Sequence, residues 1–163
     1  MTTRDKVGTI YLATDHAGFS LKEVIKNWLQ KGGEYNVVDC GAKLLEPGDD
    51  FPDYIKLAAE AISNNPKCAR AIIIGGSGQG EAMLANRFNN VRATAYYGYD
   101  LDIIRLSREH NDANILSLGA RFLSNEEALE AVALWLSTEV ELDERHIRRT
   151  QKIEIITREL RNL

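Results

Sequence analysis

The chain has 163 residues, of which 44% are hydrophobic and 27% are charged, and its formal net charge is −4. This size and balance predict one globular domain over residues 1–163, and the acidic charge argues against a nucleic-acid surface. The N-terminus lacks a secretory pattern, and no run of about eighteen apolar residues could span a membrane, so we expect a cytoplasmic protein without membrane contact.

Short apolar runs rich in β-branched residues alternate along the chain with stretches of helical period. The predicted strands cover residues 7–13, 35–39, 71–74, 91–97 and 113–118. The first helix follows the first strand and stops at Gly32-Gly33, a pair typical of a helix C-terminus. The last of these helices begins at Ser124, whose spacing to Glu127 indicates a capping box.

Five strands alternating with five helices predict a parallel sheet, because parallel strands need helical crossovers. We therefore predict a doubly wound, Rossmann-like α/β fold with helices on both faces. Beyond it, apolar residues recur at helical spacing on a segment that this sheet does not need: Ile153, Ile156, Leu160 and Leu163. Such a stripe predicts that residues 145–163 form an extra C-terminal helix that docks on a second subunit.

Polar residues follow the first and third predicted strands, where ligands of open α/β sheets bind. Asp15 and His16 come directly after the first strand, although Asp15 could equally be a helix cap. Four glycines surround Ser77 after the third strand: Gly75, Gly76, Gly78 and Gly80. Their backbone N–H groups could bind an anion, and the lack of a following lysine excludes a P-loop.

Glu81 would lie in the first turn of the helix after this glycine loop. One interpretation is that its carboxylate complements the helix dipole. The other is that Glu81 removes a carbon-bound proton, while the loop amides stabilise the oxyanion that develops and Ser77 relays a proton. The pattern alone leaves both interpretations open.

The histidines and several arginines fall at segment ends. The three histidines are His16, His110 and His146, and each position suits a cap as well as a functional role. Arg121 follows the last strand, and a basic group precedes the C-terminal stripe: Arg145, Arg148 and Arg149. Guanidinium groups suit a phosphate, although a solvated helix face is the simpler explanation of the basic group.

Cys40 and Cys68 lie in no CxxC or Cys/His spacing, which indicates free thiols in a reducing compartment. No cluster of His, Cys and carboxylate residues has the sequence spacing of a metal site. We therefore expect no bound metal and no organic cofactor.

Seven motifs together resemble the ribose-5-phosphate isomerase B family, which includes galactose-6-phosphate isomerase subunits. They are TDHAG (14–18), DCG (39–41), DFP (50–52), GSGQGE (76–81), ANR (85–87), REHNDAN (108–114) and LGAR (118–121). The resemblance covers residues 7–157. It implies a homodimer whose two sites each use residues of both chains, and isomerisation through a cis-enediolate.

The resemblance also implies roles for individual residues. Many family members use a cysteine as the base at the position of Gly75, and this chain is similar to the branch in which Glu81 is the base. The histidine that opens the sugar ring is His110, with Asp15 and Asn111 beside it. Ser77 and the amides of Gly76, Gly78 and Gly80 stabilise the enediolate.

Phosphate ligands are implied at His16 and Arg121, with Arg145 and Arg149 contributed by the other subunit. Phe51 replaces the tyrosine usual in the DFP motif, and Asp50 is a weaker candidate for proton transfer. The expected activity is interconversion of ribose 5-phosphate and ribulose 5-phosphate in the pentose phosphate pathway.

Three alternatives stay open at this point. The first is a six-carbon substrate such as allose or galactose 6-phosphate. The second is a noncatalytic phosphosugar-binding module, and the third is a nucleotide-binding domain. The sequence also leaves open whether dimers pair into tetramers.

Overall fold

The computed structural model describes residues 7–161. Its strands are β1 Thr9–Thr14, β2 Asn36–Asp39, β3 Ala69–Gly75, β4 Ala93–Tyr96 and β5 Ile115–Gly119. Its helices are α1 Phe19–Gly32, α2 Phe51–Asn64, α3 Gln79–Ala85, α4 Asp102–Glu109, α5 Asn125–Ser137 and α6 Glu144–Arg161, with a 3₁₀ turn at His16–Gly18. Leu163 of the predicted stripe lies outside the described residues.

All described strand pairs are parallel, in the order β2-β1-β3-β5-β4. The predicted doubly wound α/β fold is therefore confirmed. Thr14 pairs with Ile74 at the carboxyl ends of β1 and β3. The chain order reverses between these two strands, so the loops that follow them open the crevice in which this fold class binds ligands.

Both faces of the sheet are covered. Strand β3 is buried along its whole length, with Ile72 and Ile74 packed in one apolar cluster and Ile73 in the other. The first cluster includes residues of α1, α4 and α5, and the second includes residues of α2 and α3. This two-sided burial explains why the strands read as continuous apolar runs.

Local helix signals predicted from the sequence are present. The amide of Gly33, at φ +69°, donates to the Leu29 carbonyl after the last turn of α1. Ser124 and Glu127 form the capping box of α5. Each satisfies backbone groups that a helix end otherwise leaves unpaired.

Helix α6 lies largely in solvent. Ile153, Ile156 and Leu160 are between 48% and 65% exposed, so the predicted apolar stripe is uncovered in the single chain. Glu154 anchors the helix through Arg92, at 2.7 Å, and through the amide of Asn90. Neither α6 nor any other helix within residues 7–161 combines the length and the low charge that crossing a bilayer requires.

A buried ion pair joins Asp39, the last residue of β2, to Lys22 on α1. The Lys22 ammonium is fully buried, 2.6 Å from the Asp39 carboxylate, which also accepts from Lys26 and the Gly41 amide. Burial alone raises the pKa of Asp39, but these hydrogen bonds outweigh it and lower that pKa to about 2. The following residue, Ala42, donates its amide to the Thr14 carbonyl, which joins this loop to the end of β1.

Replacing Asp39 by Asn should reduce the free energy of unfolding by about 3 kcal/mol near neutral pH, because it leaves the buried Lys22 without its main counter-charge. Asp39 has a depressed pKa, so its contribution is complete above the unfolded-state pKa of about 4 and is lost as pH falls through about 2. The gap between variant and wild type should therefore shrink over that range. Urea unfolding followed by circular dichroism at several pH values measures it.

The exposed pair of Asp53 and Lys56 provides the control. Asp53→Asn should change stability by no more than about 0.5 kcal/mol, because water screens this pair. If both variants lost the same free energy of unfolding, the burial of Lys22 would not account for the loss in Asp39→Asn.

Candidate active site

The glycine loop after β3 is held in place by β5. Gly78 has a φ of +75°, and its carbonyl accepts from the Ser117 hydroxyl at 2.6 Å. A Cβ at Gly78 would lie 3.0 Å from the Leu118 carbonyl, so the close approach requires glycine. The Ser77 hydroxyl accepts from the Gln79 amide at 3.3 Å, at the start of α3. Ser77 is therefore held next to the start of α3, and it is partly exposed.

The Glu81 side chain folds back over Gly75. Glu81 is only 5% exposed, and a Cβ placed on Gly75 would lie 1.8 Å from its carboxylate. A side chain at position 75 and the observed place of Glu81 therefore exclude each other. Burial raises the pKa of Glu81 above its ordinary value, and the charge of Asp15 adds to the rise. A buried carboxylate of raised pKa is suited to general base catalysis.

Asp15 caps the turn that follows β1. Its carboxylate accepts from the Ala17 amide at 2.9 Å, and Asp15 is 6% exposed. The capping interpretation therefore describes its hydrogen bond. Its charge also faces the site, since it acts on both Glu81 and His16.

Asp49 binds His16 at two points. One carboxylate oxygen accepts from the His16 amide at 2.9 Å and lies 2.6 Å from Nδ1 of the ring. The hydrogen bond to Asp49 raises the pKa of His16, against the opposing effects of burial and of the Arg121 charge. His16 is thereby held toward its cationic form, which favours an anionic ligand.

Asp49 is a residue that the sequence reasoning missed. Its neighbour Asp50, the residue predicted from the sequence, lies at the start of α2 without a side-chain capping bond. The signal available was the long irregular loop at residues 42–52, but nothing in its sequence distinguishes two adjacent aspartates.

Arg121 and Phe51 complete this side of the crevice. The amide of Arg121 donates to the Gly76 carbonyl, and its guanidinium carbon would lie 3.1 Å from a Cβ on Gly76. The Phe51 ring would lie 3.0 Å from a Cβ on Gly80, so it packs against the glycine loop. We call Asp15, His16, Asp49, Ser77, Glu81 and Arg121 the carboxyl-edge group.

The remaining predicted site residues lie at the other edge of the sheet. Helix α4 returns from the end of β4 to the start of β5, so His110 and Asn111 follow it at the amino edge. Arg92, just before β4, donates to the Asn111 carbonyl at 3.1 Å. A strand of five or six residues spans about 17–20 Å, so within one chain His110 and Asp15 do not lie beside each other.

His110 is in contact with the start of α6. Its ring centroid lies 4.1 Å from that of His146, which is 4% exposed. A Glu141 carboxylate oxygen lies 3.3 Å from Nδ1 of His146 and 3.9 Å from Nε2 of His110. An Arg145 nitrogen lies 3.2 Å from the other ring nitrogen of His146. We call His110, Asn111, Glu141, Arg145 and His146 the amino-edge group.

The structure brings together potential metal ligands that the sequence spacing did not indicate. His110, Glu141 and His146 place one ligand atom each within 4.8 Å of one another, and Asp15, His16 and Asp49 do the same. Sequence spacing reveals neither set, because each set joins residues that are far apart in the chain.

A cavity of about 760 Å³ also lies at the amino edge. Arg70, Arg92 and Arg108 line it, but their guanidinium groups already donate to carbonyls and carboxylates around the cavity. Two of them lie over the Trp135 ring. These contacts give the arginines a structural role, so we assign the site to the carboxyl edge instead.

Replacing Asp49 by Asn should lower the pKa of His16 toward about 6.5, because the variant removes the charge that the ring nitrogen faces. Nuclear magnetic resonance of the ring nitrogens across a pH titration measures it, with the signal assigned by His16→Gln. Asp50→Asn is the matched control and should leave the titration unchanged. If the two variants titrate alike, Asp49 does not hold the charge on His16.

Comparison with known proteins identifies the family of the chain. The model of the Ribose/Galactose Isomerase family matches residues 10–153. Ribose-5-phosphate isomerase B of Mycolicibacterium paratuberculosis is 35% identical over 140 residues, which cover 86% of this chain and 86% of that protein.

Two solved structures are similar along nearly their whole length. Ribose-5-phosphate isomerase B from Mycoplasma genitalium, with bound ribulose-5-phosphate, has a TM-score of 0.89 at 33% identity and covers 94% of this chain and 99% of its own. The Clostridium thermocellum ribose-5-phosphate isomerase B has a TM-score of 0.86 at 38% identity and covers 93% and 99%. The chain belongs to the ribose/galactose isomerase family.

Proposed function

We propose that this chain interconverts ribose 5-phosphate and ribulose 5-phosphate through a cis-enediolate. The observation that carries the proposal is Glu81, a buried carboxylate of raised pKa that lies against the glycine loop after β3. The names of the relatives and the ribulose-5-phosphate in the Mycoplasma genitalium structure support the choice of substrate. The reaction belongs to the pentose phosphate pathway, and a cytoplasmic location stays a prediction.

In the proposed mechanism Glu81 takes the proton from C2 of the open-chain aldose and returns it to C1. Negative charge develops on the two neighbouring oxygens, where the amides of the glycine loop can donate to it. Ser77 on the loop exchanges a proton between those oxygens. The burial of Glu81 helps this step, since a base whose pKa lies nearer neutrality takes a carbon-bound proton more effectively.

His16 and Arg121 would bind the phosphate. Asp49 holds His16 toward its cationic form, and the Arg121 guanidinium lies close enough to oppose that charge. A dianionic phosphate between the two cations would relieve their mutual repulsion. The substrate phosphate would thereby fix the sugar with its reacting carbons toward Glu81.

We further propose that each site is completed by a second copy of the chain. His110, Asn111 and Arg145 lie at the amino edge, on the order of 20 Å from Glu81 within one chain, so they can serve Glu81 only from a partner. The exposed stripe of α6 supplies an apolar surface for such a dimer. In it, His110 would open the sugar ring, and Arg145 and Arg149 would add to the phosphate site.

The family also leaves a six-carbon sugar phosphate as an alternative substrate, because its model covers galactose isomerases. A coupled assay comparing ribose 5-phosphate with allose and galactose 6-phosphates decides between them. Binding of all three sugar phosphates without turnover would instead favour the noncatalytic module.

Replacing Glu81 by Gln should lower kcat by about 10²–10⁴-fold, because the amide keeps the shape but cannot accept the proton. The dissociation constant for ribose 5-phosphate should change little. Coupled kinetics and isothermal titration calorimetry measure the two. Glu60→Gln, an exposed change on α2, is the control, and a Glu81→Gln variant of nearly normal kcat would exclude Glu81 as the base.

Mixing two inactive variants should restore activity if the site is shared. A dimer of one Glu81→Gln chain and one His110→Asn chain has one site with both changes and one with neither. An equal mixture makes about half the dimers hybrid, so activity should recover to roughly a quarter of wild type. Native mass spectrometry after refolding of the mixture verifies subunit exchange. Exchange without recovery would show that His110 serves the site of its own chain.

A further inference from the structure

The amino-edge group contains two imidazoles and a carboxylate that lie close together. Nδ1 of His146 and Nε2 of His110 lie 3.3 and 3.9 Å from the same Glu141 oxygen. The two rings are 4.1 Å apart between centroids and inclined at 38°. Two histidines and a glutamate are a ligand set that Zn²⁺ takes in proteins, with a fourth position open to water.

The two distances to the Glu141 oxygen can be compared with those around a tetrahedral ion. Bonds of about 2.0–2.2 Å in tetrahedral geometry place the ligand atoms about 3.4 Å apart. One observed distance equals this within 0.1 Å and the other exceeds it by 0.5 Å. Small rotations of the half-exposed Glu141 and His110 side chains would close the difference.

His146 provides an independent observation. The residue is only 4% exposed, and within residues 7–161 its Nδ1 has no hydrogen-bond partner of good geometry. A buried nitrogen without such a partner is costly unless something binds it. It lies 3.3 Å from the Glu141 carboxylate, so an ion held by the three ligand atoms would give it a partner.

We propose that His110, Glu141 and His146 bind Zn²⁺. The ion occupies Nε2 of His110, so it withdraws that histidine from proton transfer and inhibits the isomerase. Binding itself is independent of the reaction, whereas the inhibition rests on the proposed function. The proposed site is therefore inhibitory.

Arg145 sets the condition for binding. Its guanidinium can only donate, so the 3.2 Å contact makes Nε2 of His146 the acceptor and leaves the proton on Nδ1. An ion at Nδ1 displaces this proton to Nε2, and Arg145 must then turn away. Its side chain is 55% exposed, so it can turn away by giving up its 3.7 Å contact with the Asp143 carboxylate.

The second cluster is a weaker ligand set. The Asp49 oxygen near His16 already accepts two hydrogen bonds, and Asp15 accepts the Ala17 amide. The other Asp49 oxygen is also buried without a hydrogen-bond partner of good geometry within residues 7–161, but the imidazole atom of this cluster, His16 Nδ1, already binds Asp49. A metal there would have to break that contact, whereas His146 Nδ1 lacks a good partner.

The test is a Zn²⁺ titration of the full chain in competition with a chromophoric chelator, without substrate. Wild type should bind one ion per chain. Glu141→Gln should weaken binding by about 10- to 100-fold or more, because even changes around ligands reach that size. Its isomerase activity without zinc should be unchanged, and its inhibition by zinc should be relieved in parallel.

Glu144→Gln is the matched control, an exposed glutamate in the first turn of α6. It should bind zinc as tightly as wild type. Equal affinity in Glu141→Gln and wild type would overturn the site, as would loss of binding in His16→Asn alone. Binding that depends on Glu141 but leaves isomerase activity unaffected would overturn the inhibition. A chain that binds zinc but never isomerises sugar phosphates would refute the proposed function and leave the site intact.

Discussion

All strands of a parallel sheet point the same way, so residues directly after the strands and residues directly before them lie at opposite edges of the sheet. Glu81 and His16 follow β3 and β1, whereas His110 follows α4 and precedes β5. This constraint divides the motifs of the sequence into two groups at opposite edges. On the proposed function, neither group is complete. The carboxyl-edge group has the base, Glu81, but no residue that opens the sugar ring. The amino-edge group has the ring-opening residue, His110, but no base.

At the carboxyl edge, steric exclusion between positions 75 and 81 decides where the Glu81 carboxylate lies. The Glu81 carboxylate occupies the volume that any side chain at Gly75 would need. The absence of a side chain at one position therefore makes room for the carboxylate at the other. The burial that results raises the pKa of Glu81, so one packing arrangement both places the carboxylate and tunes it.

The sequence was sufficient for the fold because each element carries a local signal, but it was insufficient where a side chain's surroundings matter. Strand β3 was predicted to start at residue 71, although it begins at Ala69 and includes Arg70. Arg70 is buried with its guanidinium over Trp135 and donates to the Leu136 carbonyl, partners 65 or more residues away. The pairing of Asp49 with His16 and the contact of His146 with His110 also join distant segments. Periodicity cannot predict such contacts.

Helix α6 has two roles in the proposed dimer, one on its own chain and one on the partner. Its beginning is fixed on its own chain, where His146 is buried against His110, and Glu154 further along binds Arg92. Its apolar stripe stays exposed. On the proposed function, the stripe docks on the partner. Because Arg145 and Arg149 lie on the same helix, this docking also brings them to the partner's phosphate site. Substrate binding would then stabilise the dimer, because the complete site exists only in the associated state.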